Sequence, residues 1–342
     1  MVASNKFRYI TVIIALTLYV LSNQFEAQNE SIFRSENNNR LAKNRRKKTR
    51  ILWSTVNERI SDAQFRRMFR MTRECFNLLC QRVILSVGES KFKSEAYIDA
   101  FLKGKDQMYD ANVKTTGGYV ADEVKLALTL RLLGGGDALD LAVIFDIEPY
   151  HCRKIMFDVL QEWVIAGNIG DLNMTKYLGD EMAMAKVSHG FSKRSRGIFK
   201  GAIGALDGWV VRIVRPCWRD KIKNPMSFFS RKGFYALNVQ CIVDDKKRVL
   251  WVSYSHKGGS HDSSCFKETQ LYKKLVAMQD TLLQLGYFFI GDSAYSTRYF
   301  FIVPYDSTSP YMSEDDFKFY HSSARITVEC AFGYIYLRWG IF

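Results

Sequence analysis

The sequence predicts an α/β domain in the C-terminal half of the chain, preceded by an all-α region. Three observations predict this arrangement. Apolar residues recur at helical spacing in residues 65–163, short apolar runs typical of strands begin at residue 202, and a helical pattern returns at residue 262. Strands followed by a helix, a further strand and a later helix are typical of α/β domains.

The composition indicates a folded protein with a polyanionic partner. The 342 residues suffice for two domains, and 47% of them are hydrophobic. Lys and Arg number 49 and Asp and Glu 35, which gives a formal net charge of +14. This excess favours DNA, RNA or acidic membranes as partners without choosing between them. The seven scattered cysteines form no Cys-x-x-Cys pair, which favours reduced, buried thiols in an intracellular protein.

The first 50 residues contain two possible targeting signals. The apolar run 9–21 follows Lys6 and Arg8, as in a secretory signal, but it is short for a membrane span. Residues 22–49 are polar and are expected to be disordered. The basic cluster 44–50 is typical of a nuclear-import signal or a phosphate-binding arm. We expect a nuclear protein, with secretion or membrane anchoring as the alternative if the apolar run acts as a signal.

Residues 51–195 are predicted to be helical. Ser61 is expected to cap a helix, with Gln64 in the capping-box position. Residues 120–133 form a second amphipathic pattern, which a run of three glycines ends.

A helix-turn-helix pattern follows. A short helix over 138–144, a break at 145–147 and a longer helix over 148–163 have the required spacing, and Pro149 suits the first turn of the second helix. Three basic residues lie near the start of that helix: His151, Arg153 and Lys154. The spacing equally fits a three-helix bundle without DNA contacts. Both interpretations stay open.

The remaining residues, 196–342, are predicted to form the α/β domain, after a basic connector at 189–196. The predicted strands are 202–206, 210–214, the hairpin 236–243 and 249–255, and 287–290, and the predicted helices are 262–285 and 320–339. The chain is thus divided into an apolar and disordered leader, a helical DNA-binding region and an α/β domain, at 1–50, 51–195 and 196–342.

Four acidic residues have unusual positions. Asp207 and Asp292 each end an apolar run, Glu329 lies in a helix that is apolar on most sides, and Asp262 lies in a glycine-containing loop before a helix. Carboxylates at the ends of buried strands are costly unless a positive charge compensates them. Each acid also has a local explanation: turn formation by Asp207 and Asp292, helix capping by Asp262, and pairing of Glu329 with Arg325.

A divalent cation explains the four acids together. Mg²⁺ prefers oxygen ligands, and two such ions about 4 Å apart activate the attacking oxygen and stabilise the leaving oxygen in phosphodiester cleavage.

Five motifs then carry a resemblance to a known family. They are Ala-Leu-Asp-Gly at 205–208, Tyr-Ala-Leu-Asn-Val-Gln at 235–240, Gly-Ser-His-Asp-Ser at 259–263, Gly-Asp-Ser-Ala-Tyr at 291–295 and Arg-Ile-Thr-Val-Glu-Cys-Ala-Phe-Gly at 325–333. In this order they resemble the DDE superfamily-4 endonuclease domain of the PIF/Harbinger transposases and of the harbinger transposase-derived nuclease. The helical segment 65–83 also resembles the region that precedes that domain.

The resemblance implies an RNase H-like mixed sheet with flanking helices and a metal-dependent DNA endonuclease of the transposase type. It implies catalytic roles for Asp207, Asp292 and Glu329, which with Asp262 would bind Mg²⁺ or Mn²⁺. It also implies a Myb-like DNA-binding partner protein, and the sequence is compatible with a homo-oligomer, while a membrane partner is not expected. Four further residues are candidates for phosphate contact: Lys257, His261, Arg325 and Arg338.

Two features depart from the family pattern. Trp209, Val210 and Val211 follow Asp-Gly, where the family usually has an aromatic or Thr-His, and the chain ends at Phe342, inside a stretch where family members continue. We therefore expect a C-terminally truncated domain. The alternative function is that of a catalytically silent, transposase-derived DNA-binding protein.

Overall fold

The computed structural model describes residues 52–87, 120–165, 174–216, 222, 224–304 and 312–340. The predictions for the apolar run, the polar segment and the basic cluster in residues 1–50 concern residues outside these ranges. The described residues fall into two compact units, one with 52–165 and 338–340 and the other with 174–337. The domain boundaries proposed from the sequence stay a prediction.

Helices make up the first unit. They are α1 (Trp53–Arg59), α2 (Asp62–Phe69), α3 (Arg73–Val87), α4 (Asp122–Leu133), α5 (Ala138–Phe145) and α6 (Pro149–Ile165). The sequence predicted α4, α5 and α6 to within two residues at each end, and it missed α1. Nowhere in the described part of the chain is a helix both long and apolar enough to cross a membrane.

The capping box at the start of α2 is confirmed. The Ser61 hydroxyl accepts a hydrogen bond from the backbone N–H of Gln64 at 3.3 Å, and the Gln64 side chain accepts one from the backbone N–H of Ser61 at 2.8 Å. Arg70, with φ of 61°, ends α2 in the left-handed conformation. The apolar pattern after residue 65 is therefore divided between α2 and α3. Its buried rings, those of Phe65, Phe69 and Phe76, pack against one another and against Trp53 of α1.

The helix-turn-helix spacing is also present. The Asp137 side chain accepts a hydrogen bond from the backbone N–H of Leu139 at the start of α5, and Asp146, with φ of 50°, ends that helix. Helix α6 begins three residues later at Pro149. His151, Arg153 and Lys154 are exposed on its first turns.

A five-stranded mixed sheet organises the second unit. Its strands are β1 (Ala202–Arg212), β2 (Ala236–Val243), β3 (Val249–Lys257), β4 (Phe288–Ile290) and β5 (Phe301–Ile302), in the order β3-β2-β1-β4-β5. The β1, β2 and β3 strands are antiparallel, whereas β4 is parallel to β1 and β5 to β4. The predicted mixed α/β fold with flanking helices is confirmed.

Helices flank this sheet. They are α7 (Met174–Leu178), α8 (Glu181–Arg194), α9 (Asp262–Lys267), α10 (Gln270–Ala277), α11 (Gln279–Gln284) and α12 (Met312–Arg338). Helix α8 contacts β1, and α7 contacts β3. Every residue of β2 is buried, as expected for a strand with covered faces.

Three sequence interpretations in this unit were wrong. The predicted strands 202–206 and 210–214 are one strand, because Gly208, interpreted as a turn residue, lies inside the β1–β2 ladder opposite Gln240. The predicted helix 262–285 is divided into α9, α10 and α11, and Thr269 caps α10 by accepting a hydrogen bond from the Tyr272 backbone N–H at 3.1 Å. Residues 189–194, interpreted as a connector, end helix α8.

Candidate active site

Asp207, in the middle of β1, lies beside Asp292, which follows the end of the adjacent parallel strand β4. Ala205 of β1 is paired with Ile290 of β4, and each aspartate comes two residues after its paired residue. Side chains two residues apart on a strand point to the same face. The charge of Asp292 accordingly raises the pKa of Asp207. The sheet thus brings together two acids that are far apart in sequence.

Glu329 reaches the same place from α12. The Arg325 Nη1 atom lies 2.6 Å from Oε1 of Glu329, one turn along the helix, and 3.3 Å from Oδ2 of Asp207. The distance between Oε1 of Glu329 and Oδ2 of Asp207 therefore cannot exceed the sum of these two distances. Ring stacking of Trp209 on Phe332, with centroids 5.4 Å apart, packs α12 against β1 beside this cluster.

Asp207 is largely buried in this cluster, and its side chain is only 17% exposed. Its pKa is raised from 3.8 to about 6, chiefly by burial and also by the charges of Asp292 and Glu329. The backbone N–H of Gly208, which donates to Asp207 at 2.8 Å, and the Arg325 guanidinium lower it. Three clustered carboxylates with a single arginine favour a further cation.

Asp262 lies elsewhere. A Cβ atom at Gly208 would be 2.2 Å from Oδ1 of Asp262, so this carboxylate fills the space that a side chain at Gly208 would take. Since successive residues of a strand point to opposite faces, Asp262 and Asp207 lie on opposite faces of β1. The N-cap of α9 is His261 rather than Asp262, so the capping explanation for Asp262 was wrong.

Two buried amides hold Asp262. Its Oδ1 atom accepts hydrogen bonds from Nδ2 of Asn238 at 2.7 Å and from Nε2 of Gln240 at 3.2 Å. The Tyr295 hydroxyl donates to Oε1 of Gln240 at 2.5 Å. Asn238, Gln240 and Tyr295 had no assigned role in the predicted site, although each lies inside one of the five motifs.

The side chains present suit a hard cation in their chemistry, because the cluster offers carboxylate oxygens alone. Their present arrangement differs from that of a loaded site. Among the described residues, no three or more His, Cys, Asp or Glu side chains are grouped closely enough to hold one metal ion. The Arg325 guanidinium instead contacts both Asp207 and Glu329.

The other candidates for phosphate contact are on the surface. Lys257 and His261 are exposed around the end of β3 and the start of α9, and Arg338 is exposed at the end of α12. Lys257 lies 6.0 Å from the ring centroid of Phe228. The structure does not bring Lys257 or His261 into the Asp207 cluster.

The cysteines match expectation. None of the six described cysteines forms a disulfide, and all of them except Cys330 are buried. Burial raises the pKa of Cys241, which is paired with Asp207 across the β1–β2 ladder, and the charge of Asp207 raises it further. A thiol held protonated is a poor metal ligand, so the carboxylates are the candidate ligands in this cluster.

One comparison with known proteins matches a C-terminal segment of the chain. Residues 206–342 match the family described as DDE superfamily endonuclease. No curated protein and no solved structure is a significant match. The matched segment begins one residue before Asp207 and contains Asp262, Asp292 and Glu329 as well.

Proposed function

We propose that this chain is a divalent-metal-dependent DNA nuclease of the PIF/Harbinger transposase type, because residues 206–342 match the family described as DDE superfamily endonuclease. Asp207, Asp292 and Glu329 are the proposed catalytic residues and bind Mg²⁺ or Mn²⁺. The observation that carries the proposal is the junction of β1, β4 and α12, where one arginine joins Asp207 to Glu329 and the charge of Asp292 acts on Asp207.

Each residue has a defined task in the proposed reaction. Two bound metal ions would activate the attacking water and stabilise the leaving oxygen of an in-line displacement at phosphorus. Asp207, on the central strand, and Asp292, on the adjacent turn, supply ligands from a rigid scaffold, while Glu329 supplies one from α12. Asp262 has an auxiliary role in metal binding or loop positioning, and its place on the other face of β1 favours positioning.

In this proposal, Arg325 binds two kinds of anion, the carboxylates of the acid cluster and a phosphate of the DNA. In the structure described, it neutralises Asp207 and Glu329. With a divalent cation bound to these carboxylates, the Arg325 guanidinium would be free to bind a phosphate of the DNA, for which its planar fork of donors is suited. The same side chain would thus stabilise the acid cluster without metal and contact the substrate with metal.

The remaining parts of the proposal concern DNA delivery. The net charge of +14 and the exposed basic residues on the first turns of α6 support DNA as the substrate. A nuclear location, a Myb-like DNA-binding partner and homo-oligomeric assembly complete the proposal, on the basis of the family resemblance and the basic cluster 44–50. Imaging of the C-terminally tagged chain tests the location.

Cleavage of supercoiled plasmid and of labelled DNA duplexes tests the proposed chemistry. We expect cleavage with Mg²⁺ or Mn²⁺, none with EDTA, and loss of activity in Asp292→Asn with an unchanged circular dichroism spectrum. Asp280→Asn, which changes an exposed acid at the start of α11, serves as the matched control and should cleave like the wild type. Full cleavage by Asp292→Asn contradicts the proposal.

A catalytically silent DNA-binding protein is the second candidate. The position of Arg325 between two of the acids favours it, since a permanent ion pair there excludes a bridging metal ion. Titration of the chain with Mn²⁺ separates the two candidates. A silent protein binds DNA with the salt dependence of phosphate contacts but takes up no metal.

A further inference from the structure

A buried chain of polar side chains connects the loop that carries Asp262 to the turn that carries Asp292. Tyr295 donates to Gln240, Gln240 donates to Asn238 at 2.7 Å, and both amides donate to Asp262. Both amides of this hydrogen-bonded series, those of Asn238 and Gln240, are on strand β2. We refer to these four residues as the polar relay.

The groups at the two ends of the relay determine the direction in which its hydrogen bonds are donated. The Asp262 carboxylate only accepts hydrogen bonds when ionised, so the nearest atom of Gln240 must be its amide nitrogen. The carbonyl oxygen of Gln240 then points away, towards Tyr295, and needs a donor there. The Tyr295 hydroxyl is that donor, at 2.5 Å.

Burial makes this arrangement sensitive to the loss of one hydroxyl. Gln240 is fully buried, Asn238 is 2% exposed and Tyr295 is 4% exposed. Without the hydroxyl, the Gln240 carbonyl is left without this donor in an apolar environment. Rotation of the amide by half a turn would instead place its oxygen against the Asp262 carboxylate. Either outcome destabilises the observed positions of Asp262 and of the turn that carries Asp292.

The relay also reaches the proposed catalytic centre. Tyr295 is three residues after Asp292, and its backbone N–H donates to the Asp292 carbonyl at 3.1 Å, which closes the turn. The Tyr295 ring is fixed between Phe266 and Phe301, with centroids 6.0 Å and 5.5 Å away. The hydroxyl and the ring together fasten the Asp292 turn to β2 and to α9.

We propose that Tyr295 is a positioning residue, whose hydroxyl sets the amide orientation of Gln240 and thereby holds the Asp292 turn and the Asp262 loop in one arrangement. Asn238 and Gln240 act with it. This inference rests on the proposed function, because the arrangement matters for metal binding at Asp292. Loss of an outer-shell partner of a metal ligand typically lowers metal affinity by about tenfold or more.

Two measurements on the full chain test the relay, with Tyr295→Phe as the variant. Tyr272→Phe is the matched control, because Tyr272 also packs against Phe266, at 5.5 Å, and lies outside the relay. The first measurement records the side-chain amide resonances of ¹⁵N-labelled glutamine without metal. We expect the Gln240 signals to shift in Tyr295→Phe and to stay in place in Tyr272→Phe. An unchanged Gln240 signal overturns the relay.

The second measurement is Mn²⁺ affinity by electron paramagnetic resonance. We expect about a tenfold loss in Tyr295→Phe and none in Tyr272→Phe. Gln240→Met, which is close in shape but has no amide, should show the same loss, and adding Tyr295→Phe to it should change nothing more. Wild-type affinity in Tyr295→Phe, or additive losses, overturns the positioning role. Absence of Mn²⁺ binding by the wild type instead contradicts the proposed function, while the amide resonances still decide whether Tyr295 orients Gln240.

Discussion

The Nη1 atom of Arg325 lies 2.6 Å from Oε1 of Glu329, one turn further along α12. The same nitrogen lies 3.3 Å from Oδ2 of Asp207, a residue 118 positions away in sequence. A local ion pair on a helix is thereby extended to the central strand of the sheet. The arginine supplies the positive charge that two acids need in the metal-free chain, and it does so in the place that a bridging cation would take.

Arg325→Gln tests this competition. Removing the guanidinium frees the space between the two carboxylates, so we expect higher Mn²⁺ affinity in the absence of DNA. Without metal, the variant should lose about 1 to 2 kcal/mol of unfolding free energy, because a largely buried carboxylate loses its partner. Calorimetric titration and urea unfolding measure the two effects. Arg298→Gln, at an exposed site after β4, should change neither. Unchanged metal affinity in Arg325→Gln would show that the arginine does not compete.

The raised pKa of Asp207 predicts a pH-dependent stability. The pKa is about 6 in the folded chain against 3.8 for the free group, so the folded state binds a proton that the unfolded state releases between these values. The stability from this group is present below pH 3.8 and is lost as the pH rises through 6. A shift of about two units corresponds to about 3 kcal/mol.

Asp207→Asn removes this dependence. In EDTA, the unfolding free energy of the wild type should fall relative to that of the variant between pH 4 and pH 7, as measured by urea unfolding at each pH. Comparison of the two chains cancels the other acids. A difference that does not vary with pH would mean that Asp207 is not destabilised by burial.

Gly208→Ala should destabilise the chain by about 1 to 3 kcal/mol, as overpacking of a well-filled site does. A Cβ atom there would lie 2.2 Å from the Asp262 carboxylate, which two amides hold in place. Gly333→Ala is the control, because a Cβ atom at this position of α12 meets nothing within 4 Å. That change should raise stability by about 0.5 to 1 kcal/mol. Equal stability of Gly208→Ala and the wild type in thermal unfolding would mean that Asp262 moves without cost.

Local signals in the sequence predicted much of this fold. The bounds of β2 follow from a mainly apolar segment of eight residues between a tyrosine and an aspartate turn, and the Ser61 cap follows from four residues. Both depend on neighbours in the chain alone. Gly208 was misinterpreted because its reason for being glycine, contact with Asp262, lies 54 positions away and across the sheet.

Part of the candidate site could also be predicted from local signals in the sequence. Asp207 and Asp292 were proposed from the end positions of apolar runs, Glu329 from its place in a largely apolar helix, and all three from motif resemblance. The position of Asp262 on the opposite face of β1 could not be predicted, because tertiary packing determines which face of a strand a later segment covers. The relay was missed since its Tyr295–Gln240 bond joins residues 55 positions apart, each with the appearance of an ordinary core residue.

Isothermal titration of the metal-free chain with Mn²⁺ at neutral pH, for the wild type and for Asp292→Asn, is the most direct test of a shared metal site. The account predicts saturable binding of one or two ions per chain by the wild type and loss of at least one ion in the variant. Binding that is identical in both chains, or no binding by the wild type, would contradict it.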